Sequence, residues 1–362
     1  MTDPTRRVFL ATGSAAILSA QSPNETVRVA FIGVGNRGSF LLKHMLTVPG
    51  VQVVAISDLN PERLKAALAA VAAKGGSAEA YPEFRKMLDR KDIDAIVIAT
   101  PVNLHKEMVL AALEVGKHVY SEKPMGFEPE QCRQIVAAAK SAKGIYQAGF
   151  QLRHDPNRNA AMKYIKAGGI GKVVFLQGYR HSGDLPHDTP WLFDRTISGD
   201  AIVEQACHII DLMVWAAGAA PLRAYGSGGI NLYKNDPPGR TVMDNYTVIY
   251  EFPDDLRFTF SHIFFDPPKF SGIKERVFGA DAAIDLATAT VIRRNGKTEQ
   301  LPVPDAGQDS TYMSLAAFIG NTRGKSTPLN NAESARRSTL TAMLGRKSMY
   351  EKRIVEWKEV DV

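Results

Sequence analysis

The stretch RVAFIGVGNRGSF, residues 28–40, decides how this chain is read. Its three glycines, Gly33, Gly35 and Gly38, stand at the spacing G-x-G-x-x-G. That spacing arises by chance in many chains, so its flanks carry the weight. Upstream runs VRVAFI, apolar without alternation, which predicts a strand buried on both faces. Downstream, 37–47 predicts a helix. In a strand–turn–helix unit Gly33 permits the tight turn, and Gly35 lets the backbone approach a pyrophosphate. Gly38 lets the helix pack close to the strand, with its free N–H groups facing the anion. Asp58 ends the next apolar run, twenty residues beyond Gly38. A carboxylate there accepts hydrogen bonds from ribose hydroxyls and repels a 2′-phosphate, so NAD is expected. Ser57 and Arg63 leave NADP open. A tight turn without a ligand is the competing reading, and strand, helix and acid together favour binding.

The pattern continues outward from that turn. VQVVAISD (51–58), IDAIVIAT (93–100), HVYSEKP (118–124) and IYQAGFQLR (145–153) predict strands. PERLKAALAAVAAK (61–74), PEFRKMLDR (82–90), the stretch 104–115 and PEQCRQIVAAAKSA (129–142) predict helices between them. Strands each followed by a helix imply a parallel sheet covered on both faces. The fold class is therefore α/β, with a doubly wound Rossmann domain over 25–150. Beyond it the rhythm changes. A helix over 157–167, the strand KVVFLQGYR (172–180), a long loop to about 200 and a helix over 203–217 come first. VMDNYTVIYEF, LRFTFSHIFF and ATVIRRN then follow one another as strands, and a helix within 330–353 closes the chain. Strands in direct succession favour antiparallel pairing, so 151–362 predicts an α/β substrate domain on an open, largely antiparallel sheet.

The 362 residues suit two domains. A net charge of +6 is scattered along the chain, with no basic run among aromatics, so no nucleic-acid partner is expected. No apolar run is long enough to span a membrane. Cys132 and Cys207, far apart, predict free thiols rather than a disulfide or metal site. The first residues stand apart: TRRVFLATGSAAILSA (5–20) pairs Arg6 with Arg7 ahead of a mildly apolar stretch. This order resembles a bacterial twin-arginine export signal. It implies a leader and linker over 1–24, passage through the export machinery and a periplasmic location. A disordered basic tail is the alternative.

Two places carry chemistry. Lys123 in VYSEKP ends a strand at the carboxyl edge where such sheets bind ligands, an ammonium fixed by Pro124. In GDAIVEQACHIIDLMVW (199–215), Glu204, His208 and Asp211 fall on one stripe of a predicted helix. An imidazole is a natural acceptor for a carbinol proton, and Glu204 could orient it or bind a neighbouring hydroxyl. A core histidine satisfied by Asp211 is the bland reading. In the long loop, His181 and His187 could meet sugar hydroxyls, or a metal with Asp184 or Asp188. A solvated loop is the more ordinary expectation, and no metal site is assigned.

The strand RVAFIGVGNRG, SEKP, FQLRHDP and EQACHIID occur in an order similar to that of the Gfo/Idh/MocA oxidoreductases, over about 26–355. The resemblance implies a Rossmann domain followed by an α/β domain whose open sheet supplies much of the substrate pocket and often a subunit contact. It places the active-site lysine on Lys123 and the general base on His208. Glu204 stands where the family usually has aspartate, and Ala206 where glycine is often found. Arg153 and Tyr179 are implied as substrate contacts. Asn36, Arg37, Thr100, Pro101, His105 and Glu122 join the glycines, Asp58 and Lys123 around the cofactor. A homo-oligomer is also expected.

An exported dehydrogenase lacks a ready dinucleotide pool, so the cofactor is expected to stay bound and to be regenerated in each cycle. Net oxidoreduction of a sugar, glycoside or polyol is the favoured activity. Transient oxidation that allows elimination, giving net glycoside hydrolysis, is the alternative. A non-catalytic cofactor-binding sensor is a third reading.

Overall fold

The computed structural model describes residues 26–324 and 326–362. The leader expected over 1–24 lies outside the described residues. The first domain runs β1 (Val27–Ile32), α1 (Asn36–Met45), β2 (Val51–Ser57), α2 (Pro61–Ala72), β3 (Glu79–Tyr81), α3 (Phe84–Leu88), β4 (Ala95–Ile98), α4 (His105–Glu114), β5 (His118–Ser121), α5 (Pro129–Ser141) and β6 (Tyr146–Ala148). The second continues with α6 (Pro156–Lys166), β7 (Val173–His181), α7 (Arg195–Ser198), α8 (Ala201–Glu204), α9 (Cys207–Ala217), β8 (Arg223–Gly229), β9 (Asn245–Glu251) and β10 (Arg257–Ile263). β11 (Gly272–Gly279), β12 (Ala282–Asp285), β13 (Thr290–Arg293), β14 (Thr298–Gln300), α10 (Ser310–Gly324), α11 (Ala332–Glu351) and β15 (Val355–Glu356) complete it.

The first sheet has six parallel strands in the order β3-β2-β1-β4-β5-β6. The order reverses at β1, which opens a crevice at the carboxyl ends of β1 and β4. Alternate residues feed two cores. Ala30, Ile32, Ile96 and Ile98 join one cluster, while Val29, Phe31, Ala95 and Val97 join the other. This explains why β1 and β4 read as unbroken apolar runs. The second cluster is completed from far along the chain: α10 supplies Leu315, Phe318 and Ile319 against Leu41, Leu42 and Met45 of α1.

The second sheet has nine strands, β14-β13-β12-β11-β7-β10-β9-β8-β15. Every neighbouring pair is antiparallel except β7 and β10. α9 and α11 cover one face, and the alternation of buried and exposed residues along β9 and β10 follows from that one-sided cover. The first cluster runs on through Ile202, Ile209, Val248 and Tyr250, so one apolar core is shared by the two domains.

Several elements differ from the sequence expectation. The strand expected over 145–153 ends at Ala148 and turns into a 3₁₀ segment, Gln151–His154. The loop after β7 contains a second 3₁₀ turn, Pro190–Phe193, and α7. The expected helix over 203–217 is two helices, α8 and α9. Strands β3, β8, β11, β12, β14 and β15 and helix α10 carry no clean pattern. In β8, RAYGSGG, a Cβ on Gly226 would lie 2.6 Å from Met349 Cγ, so glycine there serves close packing of α11.

Candidate active site

The phosphate turn has the geometry its glycines predict. Gly33 sits at φ +86°, and a Cβ there would lie 2.8 Å from the Ala99 carbonyl oxygen. A Cβ on Gly38 would lie 2.1 Å from the Gly33 carbonyl oxygen, so only glycine lets α1 approach β1 this closely. Asn36 and Arg37 form the first turn of α1. Asp58 Oδ2 accepts from the Val34 N–H at 2.8 Å and Oδ1 from the Asn60 N–H at 2.8 Å. Each oxygen keeps a lone pair for a ribose hydroxyl. Arg63 Nη1 lies 3.3 Å from where a Gly35 Cβ would stand, a cation over the turn. These residues fit a dinucleotide: a cradle without side chains, a helix N-terminus and an acid at the end of β2. A bound nicotinamide would supply the hydride acceptor.

Along the same edge, Arg37 Nε donates to the buried Glu122 Oε1 at 2.8 Å, and Nη1 to Thr311 Oγ1 of α10 at 3.3 Å. His105 is buried between two loops, with Nδ1 2.8 Å from the Pro124 carbonyl oxygen and Nε2 2.9 Å from that of Thr100. Burial pushes its pKa down, although both carbonyls oppose this. Its ring ties the loop carrying Thr100 and Pro101 to the turn carrying Lys123. Thr100 packs against Gly33, its Cγ2 2.9 Å from where a Cβ would stand.

The decisive feature is the break between α8 and α9. The chain enters α8 through Gly199 and Asp200 at φ +75° and +93°. The buried Asp200 caps α8 by accepting from the Ile202 N–H at 3.1 Å, and Tyr350 Oη donates to it at 2.5 Å. At the far end the Ala206 N–H reaches the Ala201 carbonyl, five residues back, so the turn widens. The Glu204 carbonyl is thereby released from the helical ladder. Lys123 Nζ takes it at 2.5 Å and takes Glu204 Oε1 at 2.6 Å. Cys207 Sγ donates to the same carbonyl at 3.3 Å.

Lys123 therefore bridges the domains at the ligand edge. Burial alone would lower its pKa, but Glu204, Cys207 and Glu122 outweigh burial and hold it above the ordinary lysine value. His208 is the second residue of α9, just past the break, edge-on to Phe150 with ring centroids 6.3 Å apart. Its Nδ1 is buried and has no hydrogen-bond partner among the described residues. Burial, then Lys123, Arg37, Arg180 and Arg158, hold its pKa well below the usual imidazole value. The site thus offers a protonated amine beside a neutral imidazole, a pair suited to orienting a hydroxyl and receiving its proton.

Other expected residues lie elsewhere. Glu204, His208 and Asp211 do not share one helical stripe, because the break separates Glu204 from the other two. Glu204 serves Lys123 rather than the imidazole. Asp211 is buried and paired with Arg153, whose Nη2 and Nε donate to it at 2.5 and 2.8 Å. Arg153 also donates to the Leu329 carbonyl and Ser338, so it staples the interior instead of facing a substrate. Tyr179 stacks on His181 at 4.4 Å. On pleated β7 it points away from the face that α9 covers, and so away from Glu204 and His208. His181 meets Ser261 at 2.9 Å and Asp266 at 3.3 Å, and His187 lies 3.5 Å from Asp236. Among the described residues no cluster of ligating side chains could hold a metal. Two contacts escaped the sequence reading: Thr311 on Arg37, and Asp188 of the long loop, which accepts from Asn36 Nδ2 at 3.1 Å. Both cross more than 150 residues, and no local pattern announces them.

A parallel sheet with a glycine cradle, joined to an open-sheet domain by a lysine at the cradle's edge, defines a dinucleotide-dependent oxidoreductase architecture. The chain belongs to the Gfo/Idh/MocA oxidoreductase family: residues 27–150 match its NAD-binding Rossmann fold, and 159–285 match its C-terminal domain. It is 31% identical to scyllo-inositol 2-dehydrogenase (NAD(+)) of Bacillus subtilis over 84% of this chain and 88% of that protein. It is 33% identical to inositol 2-dehydrogenase 3 of Saccharopolyspora erythraea over 52% of this chain, spanning about half (53%) of that relative's length. The structure of a levoglucosan dehydrogenase with NADH and levoglucosan has the same fold, with a TM-score of 0.78 and 20% identity, covering 91% of this chain and 99% of that one. Among the described residues no helix is long and apolar enough to cross a membrane.

Proposed function

We propose that this chain is an NAD-dependent dehydrogenase that takes hydride from the carbinol carbon of a secondary alcohol group in a sugar, glycoside or polyol. The observation that carries this is the Lys123–Glu204 pair, which sets an ammonium at the dinucleotide edge beside an unpartnered, neutral His208. Lys123 donates to the substrate hydroxyl oxygen and stabilises negative charge there. His208 receives the hydroxyl proton. The inositol and levoglucosan dehydrogenases among its relatives support the substrate class. Redox-assisted glycoside hydrolysis has no observation in its favour, and Glu204, the acid beside Lys123, is committed to that lysine.

The proposal extends to where the enzyme works. The Thr-Arg-Arg-x-Phe-Leu order supports export of the folded protein with its dinucleotide inside and a periplasmic location. Tyr225, Ile249 and Ile292, exposed on the uncovered face of the nine-stranded sheet, support self-association.

The test is direct. Denatured enzyme is assayed for released NAD and NADP, and native enzyme is mixed with sugars and polyols while absorbance at the reduced-nicotinamide band is followed. Cofactor reduction is expected, and Lys123→Ala and His208→Ala are each expected to lower its rate about 10³-fold while still binding dinucleotide. Near wild-type rates in both variants would overturn the assignment.

A further inference from the structure

We propose that Arg180 forms an anion subsite in the cleft, so that the substrate is a carbohydrate bearing a carboxylate, such as a uronate or an aldonate. This rests on the dehydrogenase reading above and names its substrate class.

Arg180 is the penultimate residue of β7. It shares a face with Leu176 and Gly178, and a Cβ on Gly178 would lie 2.7 Å from Ile209 of α9. That face therefore looks toward the helices. Arg180 stands two residues further along the same face, and its charge acts on Glu204, Cys207 and His208 beside the α8–α9 break. Across the sheet it lies in a row with Tyr246, His262 and Ile273. Tyr246 and His262 are buried at 2% and 0% exposure, and Ile273 is 41% exposed, so the row passes from buried core to exposed surface across Arg180. His262 is hydrogen-bonded through Nδ1 to Tyr246 at 2.8 Å, and no carboxylate stands in the row.

The other arginines of this region have acids. Arg37 has Glu122, Arg153 has Asp211 and Arg158 has Glu275. Arg180 is half-buried, yet it makes no hydrogen bond or ion pair among the described residues. Glu204 does not neutralise it, since that carboxylate lies 2.6 Å from Lys123. Holding a guanidinium away from water without a counter-ion is costly. Its planar fork of N–H donors matches the two oxygens of a carboxylate, and a guanidinium stays charged where a lysine would not. A ligand that brings its own anion offsets that cost. A neutral sugar leaves the charge uncompensated, so the same geometry selects against it.

The test compares matched pairs on the intact holoenzyme: glucose with glucuronate, and galactose with galacturonate, with glucose 6-phosphate as a tetrahedral control. The wild type is expected to favour the uronate in kcat/KM by about 100-fold, chiefly through KM. Arg180→Gln is expected to collapse that ratio to within about threefold of one, and Arg180→Lys to restore part of it. A wild-type preference for the neutral sugar or the phosphate, or a ratio that Arg180→Gln leaves unchanged, overturns the subsite. Turnover of neutral sugars would then leave the dehydrogenase reading standing. If no sugar reduces the cofactor, that reading fails instead, and calorimetry decides the subsite alone. Glucuronate bound by wild type and lost in Arg180→Gln supports it, and equal or absent binding in both overturns it.

Discussion

Lys123 Nζ and Glu204 meet twice, at the carboxylate (2.6 Å) and at the main-chain carbonyl (2.5 Å), joining the ligand edge of one sheet to a helix break in the other domain. Because the carbonyl is available only through the widened turn at 201–206, backbone geometry and catalytic charge are coupled at this point.

Glu204→Gln separates the two contacts. The carbonyl contact stays, but the largest charge that raises the Lys123 pKa goes, leaving burial opposed only by Cys207 and Glu122. The alkaline limb of the kcat profile is therefore expected to move to lower pH by one unit or more, on the order of 1.4 kcal/mol per unit. A pH–rate series on the two proteins checks this, and coincident alkaline limbs would remove the carboxylate from the account.

Acid stability follows from the imidazoles. His105, His154, His208 and His262 all have pKa values lowered by burial, His154 to about 4. In the unfolded chain they take protons near pH 6.5. The unfolded state thus binds more protons below that value, and stability falls as pH drops from 7 toward 4. His154 alone contributes on the order of 3 kcal/mol to the total fall by pH 4. Denaturant midpoints measured between pH 7 and 5 should fall steadily, and His154→Asn should flatten the curve.

Arg153 and Asp211 are 3% and 0% exposed, so removing one leaves a buried charge without its partner. Arg153→Ala is expected to lose about 3–5 kcal/mol in urea unfolding. At temperatures where it stays folded, its KM for substrate should change less than threefold. A large rise in KM without loss of stability would return Arg153 to the pocket.

The glycine turn is tested by contrast. Gly38→Ala places a Cβ 2.1 Å from the Gly33 carbonyl oxygen and is expected to weaken dinucleotide binding at least 100-fold in a fluorescence titration. Gly320→Ala meets nothing within 4 Å on an ordinary helical backbone and is expected to stabilise by about 0.5–1 kcal/mol with binding unchanged.

The first domain was largely legible because its signals are local. A buried parallel strand is an apolar run, and Gly33, Gly35, Gly38 and Asp58 announce the turn and its acid within one βαβ unit. Lys123 and His208 were legible as residue types in a familiar order. Their surroundings were not. A helical reading of 203–217 put Glu204 beneath His208, whereas the break at 204–207 depends on Asp200, Tyr350 and Lys123, none of which lies in that helix pattern. Asp211 read as a partner for His208 because both lie on one turn, yet the buried arginine that claims it comes from 58 residues upstream. The weak strands of the second sheet escaped for a similar reason: β8 is defined by the helix that presses on its glycines, and β11 by pairing with β7.

Helix α10 carries a consequence for how the molecule comes into being. Phe318 and Ile319 close the apolar wall behind β1, and Thr311 steadies Arg37 at the phosphate turn. The apolar cluster that packs on β1, begun at residue 27, therefore receives its last helix after residue 310. A ribosome must make nearly the whole polypeptide before that cluster can close, and a fragment stopped at residue 150 would emerge with the apolar face of α1 uncovered.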